Sequence, residues 1–236
     1  MKTLITIINK KEASLISNIG FDVIDIKNPE EGSLGAPVPK IIKEVQEALP
    51  KNTIISIPVG DVPYLPGTVS LACMGACCFK PDYVKVGLRG VRTLEEAANL
   101  LFWVVNSVRI ASSETKIVAA VYAEYMHKST LDPLLLPEIA GKIGIDTCLI
   151  DTLIKDGRSL LQHLSVDYLK EFVSSCHAQG LNASLAGSLG LEDLPKIAMT
   201  GADIIGVRGG ICKNRCRKGS LDAKLAAEFV SVSHQA

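Results

Sequence analysis

The sequence predicts a (β/α)8 barrel of the TIM-barrel class, folded as a single domain over residues 1–236. Three observations carry this expectation. Short apolar runs alternate with longer amphipathic stretches along the chain; the short runs number eight; and glycine-rich turns follow the seventh and the eighth. Alternation of strand and helix implies a parallel sheet with right-handed crossovers. A barrel of this kind takes about 250 residues, close to the 236 present. The rival is an open, doubly wound sheet. Its mark would be G-x-G-x-x-G after the first strand, where Asn9, Lys10 and Lys11 stand instead. Barrels, in contrast, often hold phosphate at the loops after strands seven and eight.

The expected strands are TLITII (3–8), FDVIDIK (21–27), TIISIPVG (53–60), YVKVGL (83–88), KIVAAVYA (116–123), TCLIDT (147–152), NASLAGS (182–188) and DIIGVR (203–208). All are short, and most are rich in β-branched residues. Helical periodicity fills the intervals, as in IIKEVQEAL (41–49), TLEEAANLLFWVVNSV (93–108) and DYLKEFVSSCHAQG (167–180), the last closed by glycine. No linker or low-complexity segment divides the chain.

Hydrophobic residues make up 47% and aromatic ones 5%. The core must therefore be built from Val, Ile, Leu and Ala, as in a parallel sheet covered on both faces. The 25 basic and 25 acidic residues cancel, which removes the electrostatic case for a nucleic-acid partner while leaving room for a local anion site. The first apolar stretch ends at Asn9, too short for a signal peptide or membrane span, and Asn106 and Arg109 follow the run 101–105. A cytoplasmic protein without a membrane partner is expected, and a homo-oligomer is compatible with the composition. The seven cysteines read as structural thiols of a reducing compartment. The C-x3-C pairs 73/77 and 212/216 suggest a metal, but zinc sites favour two-residue gaps and four ligands, so none is expected.

Chemistry in a barrel gathers at the C-terminal ends of the strands. On strand two, Asp25 and Lys27 leave the same face. They are either a structural ion pair or an amine nucleophile with its carboxylate. On strand four, Lys85 stands between Val84 and Val86. It either reaches water from the rim or is an amine with a lowered pKa, suited to Schiff-base or proton-transfer chemistry. Asp151 ends strand six as an acid/base candidate, Lys155 follows in its loop, and Glu124 after strand five is a further candidate. Gly187–Ser188, leading into a helix, and Arg208–Gly209–Gly210 offer amides and a guanidinium to a phosphate. Lys213, Arg215, Arg217 and Lys218 read as a solvated face, the alternative being an extension of that anion site. The four histidines form no triad, and no serine lies in a G-x-S-x-G elbow.

DIKNPEEGSLGAP (25–37), VGDVPYLPGT (59–68), YVKVGL (83–88), LIDTLIKDG (149–157), LAGS (185–188) and DIIGVRGGIC (203–212) together closely resemble the (5-formylfuran-3-yl)methyl phosphate synthase family, in order and over nearly the whole chain. The resemblance implies a (β/α)8 barrel that condenses two molecules of D-glyceraldehyde 3-phosphate into a phosphorylated furan aldehyde, with loss of phosphate and water, in methanofuran biosynthesis. It implies Lys27 for the Schiff base and Lys85 for proton transfer, with Asp25 and Asp151 in support. It implies a small phosphorylated sugar as partner and no metal or organic cofactor. The segment VYAEY and the tail after Arg208 depart from the family pattern. The rivals are another class I aldolase acting on a phosphorylated aldehyde, and a non-catalytic sensor of phosphorylated ligands. On alternate-strand layering, Lys27, Lys85 and Asp151 are expected to share one upper layer, with Asp25 one layer deeper and orienting Lys27.

Overall fold

In the computed structural model, which describes residues 1–128 and 130–235, the eight expected strands close into one parallel barrel. They are β1 (Lys2–Ile7), β2 (Val23–Ile26), β3 (Ile55–Pro58), β4 (Tyr83–Gly87), β5 (Lys116–Tyr122), β6 (Thr147–Asp151), β7 (Asn182–Leu185) and β8 (Ile204–Val207). The helices are α1 (Lys10–Ile16), α2 (Pro39–Ala48), α3 (Pro66–Cys77), α4 (Leu94–Ala111), a short α5 (Tyr125–Lys128), α6 (Leu136–Ile143), α7 (Val166–Ala178), a five-residue α8 (Leu194–Ala198) and α9 (Ala223–Gln235). β1 pairs with both β2 and β8, which closes the ring. Ser129 and Ala236, the latter the last residue of the expected domain, lie outside the described residues. None of the described helices is long and apolar enough to cross a membrane.

Local chemistry sets the boundaries. α4 starts at a reciprocal cap, Thr93 accepting from the Glu96 amide while Glu96 accepts from the Thr93 amide. α6 ends where Gly144 takes φ 90°. The seventh strand is shorter than the run 182–188 that predicts it. Gly187 at φ 122° and Ser188 at φ 49° turn the chain out of the ladder after Leu185.

One device repeats at the base. Asp22, Asp82, Asp146 and Asp203 each stand immediately before an even-numbered strand. Each accepts from a backbone amide of the preceding odd strand: Thr3 at 2.7 Å, Ile55 at 2.7 Å, Ile117 at 2.8 Å and Ala183 at 2.7 Å.

The register fixes heights inside the barrel. Asp25 partners Ser56, and Ser56 partners Tyr83. Strand tilt in an eight-stranded barrel offsets neighbours by about one residue per strand, so Asp25 is level with Lys85, two residues beyond Tyr83. The same step carries Lys85 through Val118 and Thr147 to Leu149, then through Ser184 and Ile204 to Gly206, then through Leu4 and Val23 back to Asp25. One layer is therefore Asp25, Lys85, Leu149 and Gly206. The layer above it is Lys27, Gly87, Asp151 and Arg208. Lys85 thus stands one layer deeper than expected, beside Asp25, because it is three residues from its basal aspartate while Lys27 and Asp151 are five from theirs.

Candidate active site

A cavity of about 410 Å³ opens at the C-terminal ends of the strands, and the candidate residues Lys27, Lys85, Asp151, Lys155, Gly187, Ser188, Arg208, Gly209 and Gly210 line it, whereas Asp25 and Glu124 do not. Asp25 is buried beneath, holding the two amines. Lys85 Nζ lies 2.7 Å from Asp25 Oδ1, an ion contact at an angle that gives that oxygen no hydrogen bond. Lys27 Nζ lies 3.9 Å from Asp25 Oδ2, which accepts from the Thr6 hydroxyl at 3.1 Å. Asp25 therefore engages Lys85 more closely than Lys27, the reverse of the expected pairing. Burial brings Lys27 down to a pKa of about 8; Asp25 and Asp151 oppose the fall, and the ammonium groups of Lys85 and Lys155 add to it. Near neutral pH a useful fraction of Lys27 is then the free amine that nucleophilic attack on a carbonyl requires.

Across the upper layer, Asp151 takes Lys155 Nζ at 2.6 Å, and its Oδ1 also accepts from the Thr152 amide at 2.7 Å. Burial alone would raise its pKa. The ammonium groups of Lys155 and Lys27 and these hydrogen bonds outweigh burial and hold it at about 2. Lys155 also donates to the Thr152 hydroxyl at 3.0 Å, so it is a fixed member of the site and not a solvated loop lysine. Glu124 faces away from the chemistry. Its carboxylate accepts from the amides of Leu153 and Ile154 at 2.8 and 2.9 Å, which holds the loop that carries Lys155.

The loops after β7 and β8 lie close together: a Cβ on Gly210 would lie 2.2 Å from the Leu189 carbonyl oxygen. Among the described residues, no protein acceptor meets the amides of Gly187, Ser188, Gly209 and Gly210. The expected helix N-terminus contributes less, since α8 has five residues and the Gly190 amide is taken by Asp193. Arg208 requires a correction. Its guanidinium is buried and points away from an incoming anion, giving two bonds to Glu12, at 2.5 and 3.1 Å, and one each to the carbonyls of Thr6, Arg217 and Gly219. With all five N–H groups engaged, Arg208 ties α1 to the loop after β8 and offers phosphate no donor.

Two features were not read from the sequence. Tyr122 donates to Asp61 Oδ1, and Asp61 Oδ2 accepts from the Leu34 amide at 2.9 Å. The tyrosine hydroxyl occupies the space above Gly87, where a Cβ would lie 2.2 Å from it. Burial and the neighbouring Asp61 push the phenol well above its ordinary pKa. A glycine ending a strand of inward-facing side chains was the available signal. The second feature is Arg217. Arg215 pairs with Glu192 and Lys218 with Glu30 at exposed positions, as a solvated face would. Arg217, which lines the cavity together with these two, has no acidic partner among the described residues and donates to the carbonyls of Pro29 at 3.2 Å and Gly32 at 2.8 Å.

Cys78 and Cys216 are exposed, contrary to the expectation of structural thiols, whereas the other five cysteines are buried. Among the described residues, no group of three or more His, Cys, Asp or Glu side chains could hold a metal ion.

A family profile described as 4-HFC-P synthase matches residues 3–230. The protein named (5-formylfuran-3-yl)methyl phosphate synthase of Methanocaldococcus jannaschii is 43% identical over 230 residues, 97% of this chain and 98% of the relative. That of Methanosarcina barkeri is 43% identical over 231 residues, 98% of each. That of Methanococcus maripaludis strain C5 is 44% identical over 214 residues, 90% and 91% of the two chains. Among solved structures, 3-hexulose-6-phosphate synthase superposes with a TM-score of 0.68 at 14% identity, covering 98% of this chain and 99% of that one. At that identity the likeness speaks for the fold alone. With the profile spanning nearly the whole barrel and relatives of one name matching almost end to end, the chain belongs to the 4-HFC-P synthase family and is an enzyme.

Proposed function

We propose that the chain condenses two molecules of D-glyceraldehyde 3-phosphate into (5-formylfuran-3-yl)methyl phosphate, releasing phosphate and two waters, as a step of methanofuran biosynthesis. The observation that carries this proposal is the buried Lys27, with a pKa of about 8, next to a second buried amine that shares its carboxylate. The free amine of Lys27 attacks the aldehyde carbon of one triose phosphate. A carbon–nitrogen bond forms, and the carbonyl oxygen leaves as water. The resulting iminium draws electrons from the adjacent carbon, whose proton passes to the Lys85–Asp25 pair, and an enamine forms. Loss of the β-phosphate leaves an enol whose terminal carbon, carbon 3 of the first triose, adds to carbon 2 of the second triose once proton transfer has isomerised that aldehyde to its ketone. The carbon-1 hydroxyl of the second triose then closes onto carbon 2 of the first, two waters leave to complete the furan, and hydrolysis frees Lys27. Asp151, ionised at every working pH, stabilises the cationic iminium. A general acid or base contributes about 10²–10⁴-fold to each such proton transfer.

The amide cradle of Gly187, Ser188, Gly209 and Gly210 suits one substrate phosphate. The two triose phosphates together have roughly 20 non-hydrogen atoms, a drug-sized load for which pockets of about 300–1,000 Å³ are usual. The cavity of about 410 Å³ falls in that range.

Incubation with D-glyceraldehyde 3-phosphate alone, followed by mass spectrometry and ultraviolet absorbance, tests the proposal. A furan aldehyde chromophore with stoichiometric phosphate is expected; a plain aldol adduct would overturn it. Borohydride should trap an adduct on Lys27, and Lys27→Arg should abolish trapping because guanidinium stays protonated.

A further inference from the structure

We propose that Arg217, reaching from the loop after β8 past the end of β1 to the loop after β2, anchors the phosphate of the second triose phosphate. This subsite is separate from the amide cradle of Gly187, Ser188, Gly209 and Gly210. The inference rests on the reading that two phosphorylated trioses occupy the cavity together.

Arg208 and Arg217, on the same loop, have opposite hydrogen-bond inventories. Arg208 has all five N–H groups engaged within the protein, two of them on a carboxylate. Arg217 uses two, on the carbonyls of Pro29 and Gly32. A guanidinium carries five N–H groups, so three remain on a half-buried group that lines the cavity. The loops are also joined by the Lys218–Glu30 pair, so contact between them does not depend on Arg217 alone.

Charge points the same way. Each phosphate brings about −1.5 to −2 at neutral pH. Inside the cavity, Lys85 is paired with Asp25 and Lys155 with Asp151. Lys27 must be neutral when it attacks. Among the described residues, Arg217 has no carboxylate within ion-pair distance, while Arg208, Arg215 and Lys218 of the same segment each have one. It is the permanent cation of the cavity left unmatched. Burial draws its pKa below the ordinary arginine value, against the pull of Asp151, Asp61 and Glu30, as befits a charge awaiting a counter-ion.

Position decides which phosphate it meets. Pro29 and Gly32 belong to the turn that begins just past Lys27. The guanidinium is therefore held at the β2 side of the mouth, on the turn that follows the nucleophile, while the amide cradle belongs to β7 and β8. A fork of free N–H groups suits the planar recognition of phosphate oxygens.

The experiment supplies the wild-type enzyme with equal concentrations of D-glyceraldehyde 3-phosphate and unphosphorylated D-glyceraldehyde. If the second aldehyde is the unphosphorylated one, the furan product lacks its phosphate, and mass spectrometry gives the ratio of the two products. Charge-assisted bonds to a phosphate make the expected loss of preference in Arg217→Gln about 10- to 100-fold. Arg217→Lys, which keeps the charge without the fork, should fall between Gln and wild type, and serves as the readout if glutamine unfolds the loop. Equilibrium dialysis with radiolabelled inorganic phosphate should find two sites per wild-type chain and one in Arg217→Gln. An unchanged product ratio in both variants, or two phosphate sites retained in Arg217→Gln, overturns the proposal. Absence of furan from the wild type, with two phosphate sites that fall to one on substitution, would instead refute the two-triose reaction and leave the anion subsite standing.

Discussion

Replacing Lys27 with methionine should make the protein more stable while destroying its covalent chemistry. The fall of the Lys27 pKa from 10.5 to about 8 corresponds to about 3 kcal/mol of selection against its ammonium, at about 1.4 kcal/mol per pH unit. The sign follows from proton counts. Below pH 8 the side chain is protonated in both folded and unfolded chains, and the folded state carries the full penalty. Between about 8 and 10.5 the folded side chain releases its proton while the unfolded one keeps it, and the penalty fades. Methionine has similar length and no charge, and Asp25 retains Lys85. Lys27→Met should therefore gain about 3 kcal/mol at pH 7, or about 6–12 °C in Tm at about 2–4 °C per kcal/mol for a chain of this size. By linkage the gain should shrink to about 1 kcal/mol at pH 10. Urea denaturation of both proteins at the two pH values measures it. A variant no more stable than wild type at pH 7, or a gain equal at both, would refute the claim that burial sets the amine's basicity.

Four further outcomes are expected. Arg208→Ala leaves Glu12 buried without its partner and should lose about 3–5 kcal/mol in chemical denaturation, with kcat and KM both disturbed as the loop after β8 loosens. Glu124→Gln weakens the acceptor of two loop amides, which should lower stability by about 1–3 kcal/mol and make the Leu153 and Ile154 amides exchange hydrogen faster. Gly87→Ala drives a methyl group into the Tyr122 hydroxyl and should cost about 1–3 kcal/mol; adding Tyr122→Phe should restore part of it, as a thermal melt of the double variant will show. Asp151, held at about 2 against an ordinary 3.8, contributes about 2 kcal/mol that is complete above pH 3.8 and lost as pH falls towards 2. Asp151→Asn should be less stable than wild type at pH 6, and the gap should close across that acid window.

Much of this was written in strand-scale patterns. Eight β-branched runs separated by helical periods leave few alternatives to a closed barrel, and charges on otherwise apolar even strands marked Asp25, Lys27, Lys85 and Asp151. Height within the barrel was also encoded, by counting from the aspartate before each even strand, a signal that strand-end position alone does not convey. Arg208 stands beside two glycines like a phosphate ligand, but its partner Glu12 is 196 residues away in the chain. Within Lys213–Lys218 the pattern of residues gives no reason to single out Arg217. What distinguishes it is a pair of backbone carbonyls on the loop after β2, and backbone carbonyls leave no trace in residue identity. The side-chain partnership of Tyr122 and Asp61 is hidden, like that of Arg208 and Glu12, by its 61-position span along the chain.

The phenol lodged above Gly87 also makes the mouth lopsided. Among the described residues, the upper wall of the cavity comes from the loops after β6, β7 and β8, with none from those after β3, β4 or β5. Traffic is thereby confined to one sector: what enters to react and what leaves as product use the same doorway, past Lys155, Ser188 and Arg217. Bulk added at that sector should slow exchange with solvent and leave the bond-making steps untouched, whereas bulk added on the Tyr122 side meets a second cavity of about 450 Å³, lined by Gly32, Asp61, Arg89, Gly90 and Ile154.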